Sequence, residues 1–168
     1  MTSYKIPEAA GIGHAHLKVS DLDRSLDFYC GLLGFTLVAR YRDSAAFVSA
    51  GDYHHHLGLN TWESRGASPP PARHPGLYHL GLRYPTRADL AVAVKRVVDA
   101  GVPLAGASDH GVSVSVYLND PDGIGLELTW DRPVTDWPRT AHGSPELWMS
   151  EPFDLESFLK EADTPVPV

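Results

Sequence analysis

The sequence predicts an α+β fold built from two tandem βαβββ modules. The same order of elements occurs twice, and each copy opens on a similar strand, residues 14–19 (HAHLKV) and residues 78–83 (YHLGLR). Behind each strand come a Ser or Thr, an Asp three residues later, an amphipathic helix, a Gly and short strands. With 168 residues, 43% of them hydrophobic, the chain can bury a core as one compact domain, residues 1–168.

The first module, about residues 13–62, starts with a strand whose alternation places His14 and His16 on one face and apolar side chains on the other. Ser20 and Asp23 form a capping-box-like start for a helix. Three short strands are expected to follow this helix. The predicted elements are 14–19, a helix from about 21 to 33 ended by Gly34, 35–41, 45–50 and 54–61.

Residues 63–76 are rich in Pro and Gly and predict a linker between the modules. The second module, about residues 77–130, repeats the order of the first, with Thr86 and Asp89 at the start of its helix. Its predicted elements are 77–83, a helix over 86–100 ended by Gly101, and strands near 102–106, 112–118 and 124–130. In the tail, 131–168, one short amphipathic helix is expected at 154–161, either over a cavity or at an oligomer contact.

Composition excludes several classes of partner. The formal net charge of −7 argues against nucleic acid or an anionic membrane as the main partner. The sequence has no 18-residue apolar run, and its first residues lack the apolar stretch of a signal peptide. A single cysteine, Cys30, excludes an internal disulfide and suits a reducing compartment, so a cytoplasmic location is expected.

Strand alternation assigns several polar side chains to one concave interior: His14, His79, Tyr117 and Glu127. Two imidazoles and one carboxylate on rigid strands form the 2-His-1-carboxylate face that binds Fe(II) and leaves positions open. A buried carboxylate without a partner is costly, so a metal would also account for an inward Glu127. Taken singly, each is an ordinary strand residue, but the histidines occupy equivalent places in the two repeats, which favours a shared site.

These residues resemble the vicinal oxygen chelate superfamily, which includes glyoxalase I, fosfomycin and bleomycin resistance proteins and type I extradiol dioxygenases. The segments that carry the resemblance are GHAHLKVSDLDRSLDFYCGLLGF, HHHLGLNTW, LYHLGLRY and LNDPDGIGLELTW, between Gly13 and Trp130. The resemblance implies paired modules that form a curled, open sheet around a divalent metal. It also implies that His14, His79 and Glu127 match the metal-ligand positions of the ring-cleaving dioxygenases.

The chemistry depends on a position in the last strand of the first module. Members of the superfamily with glyoxalase activity typically place a fourth ligand there, Glu or His, where this chain has Gly58. A missing side chain leaves the metal more open and favours an oxygenase over an isomerase. His56, two residues earlier, could still act as a ligand and keeps glyoxalase-type chemistry open.

The resemblance further implies that His55 is the acid–base catalyst, and that His110 and Tyr117 bind the substrate oxygens. Strict alternation instead directs His54 and His56 inward, so the assignment within this triplet stays open. Two more histidines, His16 and His56, are expected to contact the substrate, although a strand-surface role suits His16 equally well.

The resemblance therefore implies an Fe(II)-dependent extradiol dioxygenase that cleaves a small catechol with O2. The small versions with one pair of modules resemble L-DOPA 2,3-dioxygenases, so L-DOPA is the finer expectation. The alternatives are a glyoxalase-type isomerase or lyase with Ni(II), Zn(II) or Co(II), and a non-catalytic resistance protein that sequesters a small molecule. A homo-oligomer, a dimer or larger, is expected, without nucleic acid or a membrane as partner.

Overall fold

The structure is a computed structural model that describes residues 3–71, 73–149 and 151–163. The chain divides between Ala67 and Ser68 into two compact units. The first unit contains strands β1 (Ala15–Lys18), β2 (Thr36–Tyr41), β3 (Ala45–Ser49) and β4 (Leu57–Asn60), and helix α1 (Leu22–Leu26) with a π-helical continuation (Asp27–Leu32). The second contains β5 (Leu80–Arg83), helix α2 (Arg87–Asp99), β6 (Leu104–Asp109), β7 (Ser113–Asn119), β8 (Gly125–Asp131), a 3-10 turn (Val134–Asp136), helix α3 (Leu155–Leu159) and a second 3-10 turn (Lys160–Asp163).

Each unit contains one open sheet of four strands, and the two sheets have the same topology. The strand orders are β1-β4-β3-β2 and β5-β8-β7-β6. The first strand of each unit pairs in parallel with the last, and the other neighbours pair antiparallel. The predicted α+β class with two βαβββ modules is therefore confirmed.

The start of α2 is as predicted, and the start of α1 is not. Thr86 accepts a hydrogen bond from the amide of Asp89 at 3.1 Å. The prediction of Ser20 as the first cap is wrong by one residue, because the Asp21 carboxylate accepts from the amide of Arg24 at 3.1 Å. With this correction, the histidine ahead of each first strand stands seven residues before its cap, from His14 to Asp21 and from His79 to Thr86.

The helix predicted over about 21–33 is present, and its second half has a wider π-helical turn. The amide of Leu33 donates to the carbonyl of Phe28 at 3.0 Å, five residues back instead of four. The wider turn brings two adjacent aromatic residues into the core, so that Phe28 is 8% and Tyr29 0% exposed.

The core of each unit lies between its helix and the apolar face of its sheet. On α2 the buried side chains include Leu90, Val94 and Val97, whereas Val98 is 39% exposed. On the strands the alternate apolar positions are buried: Leu17, Leu57, Leu59, Val114, Val116, Leu126 and Leu128. The opposite positions on the same strands therefore remain for polar side chains.

Three predicted strands have different bounds in the structure. The strand expected over 54–61 is only Leu57–Asn60, so the three consecutive histidines precede it. The strand expected over 77–83 is Leu80–Arg83, which leaves His79 directly before its first residue. The strand expected near 102–106 is Leu104–Asp109, because the amide of Val102 still bonds to the end of α2, at 3.1 Å from the carbonyl of Val97.

The tail helix predicted at 154–161 is present as α3, capped by the Asp154 side chain, and it packs against α2. Phe158 is buried in this contact. Arg87 of α2 forms hydrogen bonds of 2.9 to 3.1 Å with both carboxylate oxygens of Glu161. Among the helices of the described residues, none has the length and apolar character needed to cross a membrane.

Candidate active site

In the second unit, three neighbouring strands place Gly81, Glu127 and Tyr117 in one row. Gly81 of β5 is paired with Glu127 of β8, and Glu127 is paired with Tyr117 of β7. Side chains directly opposite one another across a sheet lie close enough to interact. The alternation that buries Leu126 and Leu128 turns Glu127 to the other face, as the sequence predicts.

Glu127 is held between two partners. Its Oε2 lies 3.2 Å from Nε2 of His79, and the hydroxyl of Tyr117 donates to its Oε1 at 2.9 Å. The side chain of Glu127 is 18% exposed and that of His79 33% exposed, so both are partly shielded from water. A Cβ at Gly81 would lie 3.5 Å from Oε2 of Glu127, so this small residue lies close beside the carboxylate.

Tyr117 is a hydrogen-bond donor at any physiological pH. Burial, the hydrogen bond to Glu127 and the charge of Glu127 raise the pKa of the Tyr117 hydroxyl to about 12. Nε2 of His110 lies 2.7 Å from the same hydroxyl. The turn between β6 and β7 carries His110, so the second unit brings together four predicted residues: His79, His110, Tyr117 and Glu127.

The donors in this unit fit part of a metal site. Nε2 of His79 and Oε2 of Glu127 are 3.2 Å apart, about the separation of two adjacent ligands that each lie ~2.1 Å from one divalent ion. Nδ1 of His79 is buried and has no hydrogen-bond partner within the described residues. Over residues 3–71, 73–149 and 151–163, no group of three or more His, Cys, Asp or Glu side chains that could hold a metal ion is found. The complete ligand set His14, His79 and Glu127 therefore stays a prediction.

In the first unit, His14 precedes β1 just as His79 precedes β5. The ring of His55 lies 4.5 Å from that of His14, and its Nδ1 lies 2.8 Å from Nδ1 of His54. Desolvation and the neighbouring charges of His14, His54 and His16 lower the pKa of His55. A neutral imidazole that can accept a proton is therefore favoured at this position.

His56 has a structural role in the hairpin between β3 and β4. Its Nδ1 accepts from the amide of Ala50 at 3.3 Å and lies 3.0 Å from the hydroxyl of Ser49. The argument that alternation directs His54 and His56 inward is wrong, because neither residue lies on a strand. A role for His56 in substrate binding stays a prediction.

His16 lies over Gly58, and this contact explains the glycine. The two residues are paired between β1 and β4, and a Cβ at Gly58 would lie 2.9 Å from the His16 ring. Rings of Phe47 and Trp62 lie 6.0 and 5.6 Å from the His16 ring. The sequence predictions included neither aromatic residue, although the alternation of β3 places Phe47 opposite Gly58.

A separate cavity of about 590 Å³ in the first unit contains none of the predicted site residues. Its lining includes Arg40, which forms an ion pair of 2.8 Å with Asp23, and Arg65, which donates to the carbonyl of Asp43 at 2.8 Å. Its arginines are thus bound to neighbouring residues of the same unit.

Comparison with known proteins agrees with this fold. Residues 11–128 match the family described as the Glyoxalase/Bleomycin resistance protein/Dioxygenase superfamily. The chain belongs to this superfamily. A glyoxalase/dioxygenase of Nostoc punctiforme has the same fold, with 21% identity and a TM-score of 0.63 over 79% of this chain and 99% of that one.

Relatives in the superfamily include two kinds of enzyme. The chain is 36% identical to a catechol-2,3-dioxygenase of Bacillus subtilis over 96% of its own length and 55% of that protein. It is 29% identical to a biphenyl-2,3-diol 1,2-dioxygenase of Paraburkholderia xenovorans, over 82% of this chain and 47% of that one. The chain thus spans about half the length of these two relatives. It is also 30% identical to a probable lactoylglutathione lyase of Synechocystis, over 68% of this chain and 91% of that protein.

Proposed function

We propose that the protein is an extradiol dioxygenase that uses Fe(II) and O2 to cleave a small catechol. The observation that carries this proposal is Glu127, held between the imidazole of His79 and a tyrosine hydroxyl that stays protonated. The similarity to two dioxygenases of aromatic diols supports the same reaction class.

Three residues would hold the metal: His14, His79 and Glu127. Two neutral nitrogen ligands and one carboxylate suit Fe(II) and leave coordination positions for a substrate. When bound, such a metal would supply a Lewis acid that lowers the pKa of a catechol hydroxyl.

The remaining residues would bind the substrate and move its protons. Tyr117 and His110, in contact at 2.7 Å, would form hydrogen bonds with the substrate. His55, with its lowered pKa, would accept a proton from a catechol hydroxyl and return it later as a general acid. His16 and Phe47 offer ring edges and faces for an aromatic substrate, at centroids 6.0 Å apart.

A glyoxalase-type lyase is the second candidate, because the chain is similar to lactoylglutathione lyases. The geometry of the first unit argues against it. In glyoxalase-type members the fourth ligand occupies the position that corresponds to Gly58, and here any side chain at that position would meet the His16 ring at 2.9 Å. A sequestering protein without catalysis remains the third alternative.

L-DOPA is the finer proposal for the substrate, in a cytoplasmic homo-oligomer. An amino-acid substrate needs a cation for its carboxylate, and two arginines near the strands are already paired. Arg40 binds Asp23 at 2.8 Å, and Arg83 lies 3.4 Å from Asp131. A comparison of L-DOPA with dopamine, which lacks the carboxylate, measures directly whether any cation of the protein recognises this group.

The deciding experiment loads the protein with Fe(II) without oxygen, then supplies O2 and a panel of catechol, dopamine and L-DOPA. We expect O2 consumption together with a yellow ring-opened product. The same protein loaded with Ni(II) should not convert the hemithioacetal of methylglyoxal and glutathione. Conversion of the hemithioacetal without catechol cleavage would establish the lyase instead, and tight ligand binding without either activity would establish the sequestering protein.

A further inference from the structure

The segment that follows β8 returns to the turn that carries His110. We name residues 132–149 the C-terminal strap. At its start, Arg132 forms an ion pair with Asp109, the residue before His110. Within the strap, the indole of Trp137 donates to the carbonyl of Arg132 at 2.8 Å, and the amide of Glu146 donates to the carbonyl of Pro138 at 2.9 Å. The strap is therefore a folded element attached to the His110 turn.

The strap reaches His110 through Trp148, with two hydrogen bonds. The amide of Trp148 donates to the carbonyl of His110 at 3.0 Å, and Nδ1 of His110 lies 2.8 Å from the carbonyl oxygen of Trp148. A carbonyl oxygen can only accept, so Nδ1 must carry the hydrogen of this bond. In the neutral ring, Nε2 then has the lone pair, and Nε2 faces the hydroxyl of Tyr117 at 2.7 Å.

Gly111 makes room for the strap. It adopts a positive φ of +75°, and a Cβ there would lie 2.8 Å from Cγ of Pro138 and 2.9 Å from Cδ2 of Trp148. Both contacts are with strap side chains, so any side chain at Gly111 would push the strap away from the turn. The residue next to His110 is therefore fitted to the strap in space as well as through hydrogen bonds.

We propose that the C-terminal strap positions His110 for the reaction, with the Trp148 carbonyl fixing the Nδ1–H tautomer and the direction of Nε2. Tyr117 has one hydroxyl proton and two neighbours that can accept it, Oε1 of Glu127 at 2.9 Å and Nε2 of His110 at 2.7 Å. With Nε2 fixed as an acceptor, Tyr117 can turn its proton toward either neighbour. Trp148 is thus a positioning residue, and the catalytic consequence rests on the proposed function.

The test compares two glycine substitutions in the same unit. Gly111→Ala introduces a side chain that clashes with the strap. Gly101→Ala is the matched control, because Gly101 has φ +74° and a Cβ there would meet no described atom within 4 Å. The backbone strain is therefore alike in the two variants, and only the contact with the strap differs.

The readout is the tautomer of His110, observed by NMR of the metal-free protein labelled with 15N histidine, at a pH where the ring is neutral. We expect an Nδ1–H signal in the wild type and in Gly101→Ala, and its loss or mixing with Nε2–H in Gly111→Ala. An Nε2–H tautomer in the wild type, or an unchanged tautomer in Gly111→Ala, would overturn the proposal.

Trp148→Ala is the second variant, in case Gly111→Ala does not fold. It leaves the backbone carbonyl at position 148 in place but removes the indole that lies beside Gly111, so it loosens the strap without backbone strain. It should weaken the Nδ1–H preference and lower kcat of the Fe(II)-loaded enzyme on the order of tenfold, with KM nearly constant, while Trp148→Phe should restore both. A fall in kcat without a change in tautomer would overturn the positioning role. A tautomer that responds as expected in a protein that cleaves no catechol would leave the positioning intact and reject only the proposed function.

Discussion

The sheets of the two units have the same topology, but they carry different side chains in their central row. Each sheet shows a register shift at the same place, between Leu37 and Ala39 in the first and between Leu104 and Gly106 in the second. One residue from each of three neighbouring strands forms the row. The members are His16, Gly58 and Phe47 in the first unit, and Gly81, Glu127 and Tyr117 in the second.

The two rows differ in chemistry although the two sheets share one topology. In each row, one of the two residues on the parallel pair is a glycine: Gly58 under the His16 ring, and Gly81 beside Glu127. The first unit therefore offers imidazoles and aromatic rings, and the second offers the carboxylate and its hydroxyl donor. The proposed chemistry needs both sets, and His14 and His79 occupy the same place in each unit.

The largest expected effect concerns the carboxylate that distinguishes the second unit. Glu127→Ala should abolish catechol cleavage and weaken Fe(II) binding by more than about 100-fold, since loss of an outer-shell partner alone costs roughly 10–100-fold. The fold should persist, because Glu127 lies on the polar face of β8. Metal content per chain and circular dichroism measure the two outcomes.

The control is Asp131→Ala, which removes a carboxylate from the end of the same strand at a side chain that is 43% exposed. It should keep both metal and turnover. Full iron content in Glu127→Ala would show that Glu127 is not a metal ligand. The second unit would then not supply the carboxylate that distinguishes it from the first in the proposed chemistry.

The next effect concerns the imidazoles of the first unit. His55→Phe should retain iron but lower kcat by roughly 100- to 10,000-fold, the usual contribution of a general acid–base residue. His56→Phe should instead lower stability by about 1 kcal/mol, because the hydrogen bonds to Ala50 and Ser49 are lost. If His56→Phe loses the turnover and His55→Phe keeps it, the acid–base assignment is off by one residue.

The fold could be predicted where a local pattern determines it. Thr86, Gly34 and Gly101 mark helix ends through their own backbone and side-chain chemistry, and both glycines adopt a positive φ as helix-terminating residues do. The π-helical turn after Leu26 and the late start of β6 could not be predicted. They depend on how Tyr29 packs in the core and on the hydrogen bond from the amide of Val102 to the carbonyl of Val97. Neither is visible in the spacing of apolar residues along the sequence.

The candidate site divides in the same way. The pairing of Tyr117 with Glu127 follows from strand alternation and register, so it could be predicted from the sequence. The roles of His54, His55 and His56 do not follow, because they lie before β4 and are held by ring contacts with His14, Phe47 and Tyr53. The contact of Trp148 with His110 joins residues 38 positions apart and has no local signal.

A smaller effect tests whether the two rows are interchangeable. Gly58→Glu imitates Glu127 in the first unit and should lower stability by about 1–3 kcal/mol, because its Cβ meets the His16 ring. In the His16→Ala variant, Gly58→Glu should lower the stability by less. We expect a coupling energy of about 0.5–3 kcal/mol between the two positions in a double-mutant cycle. Denaturant unfolding of the four proteins measures the coupling. Additive effects would show that the His16 ring is not the reason why a glycine occupies position 58.

The smallest effect concerns the ionisable hydroxyl of the second row, which has its counterpart in Phe47 of the first. The folded chain raises the pKa of Tyr117 from 10.0 to about 12, so it holds this proton more tightly than the unfolded chain does. The stability that results is complete below pH 10 and is lost as the pH rises toward 12. Tyr117→Phe should therefore make the free energy of unfolding fall less steeply over this range.

Three further variants separate this effect from general alkaline denaturation. Burial also raises the pKa of Tyr84, so Tyr84→Phe should reduce the same slope, and the double variant should reduce it further. Tyr41→Phe, at a tyrosine of the first unit that is 53% exposed, should leave the slope unchanged. Equal slopes in the wild type and Tyr117→Phe would mean that the hydroxyl is solvated in solution. The hydrogen bond that joins Tyr117 to Glu127 would then not hold the carboxylate in place.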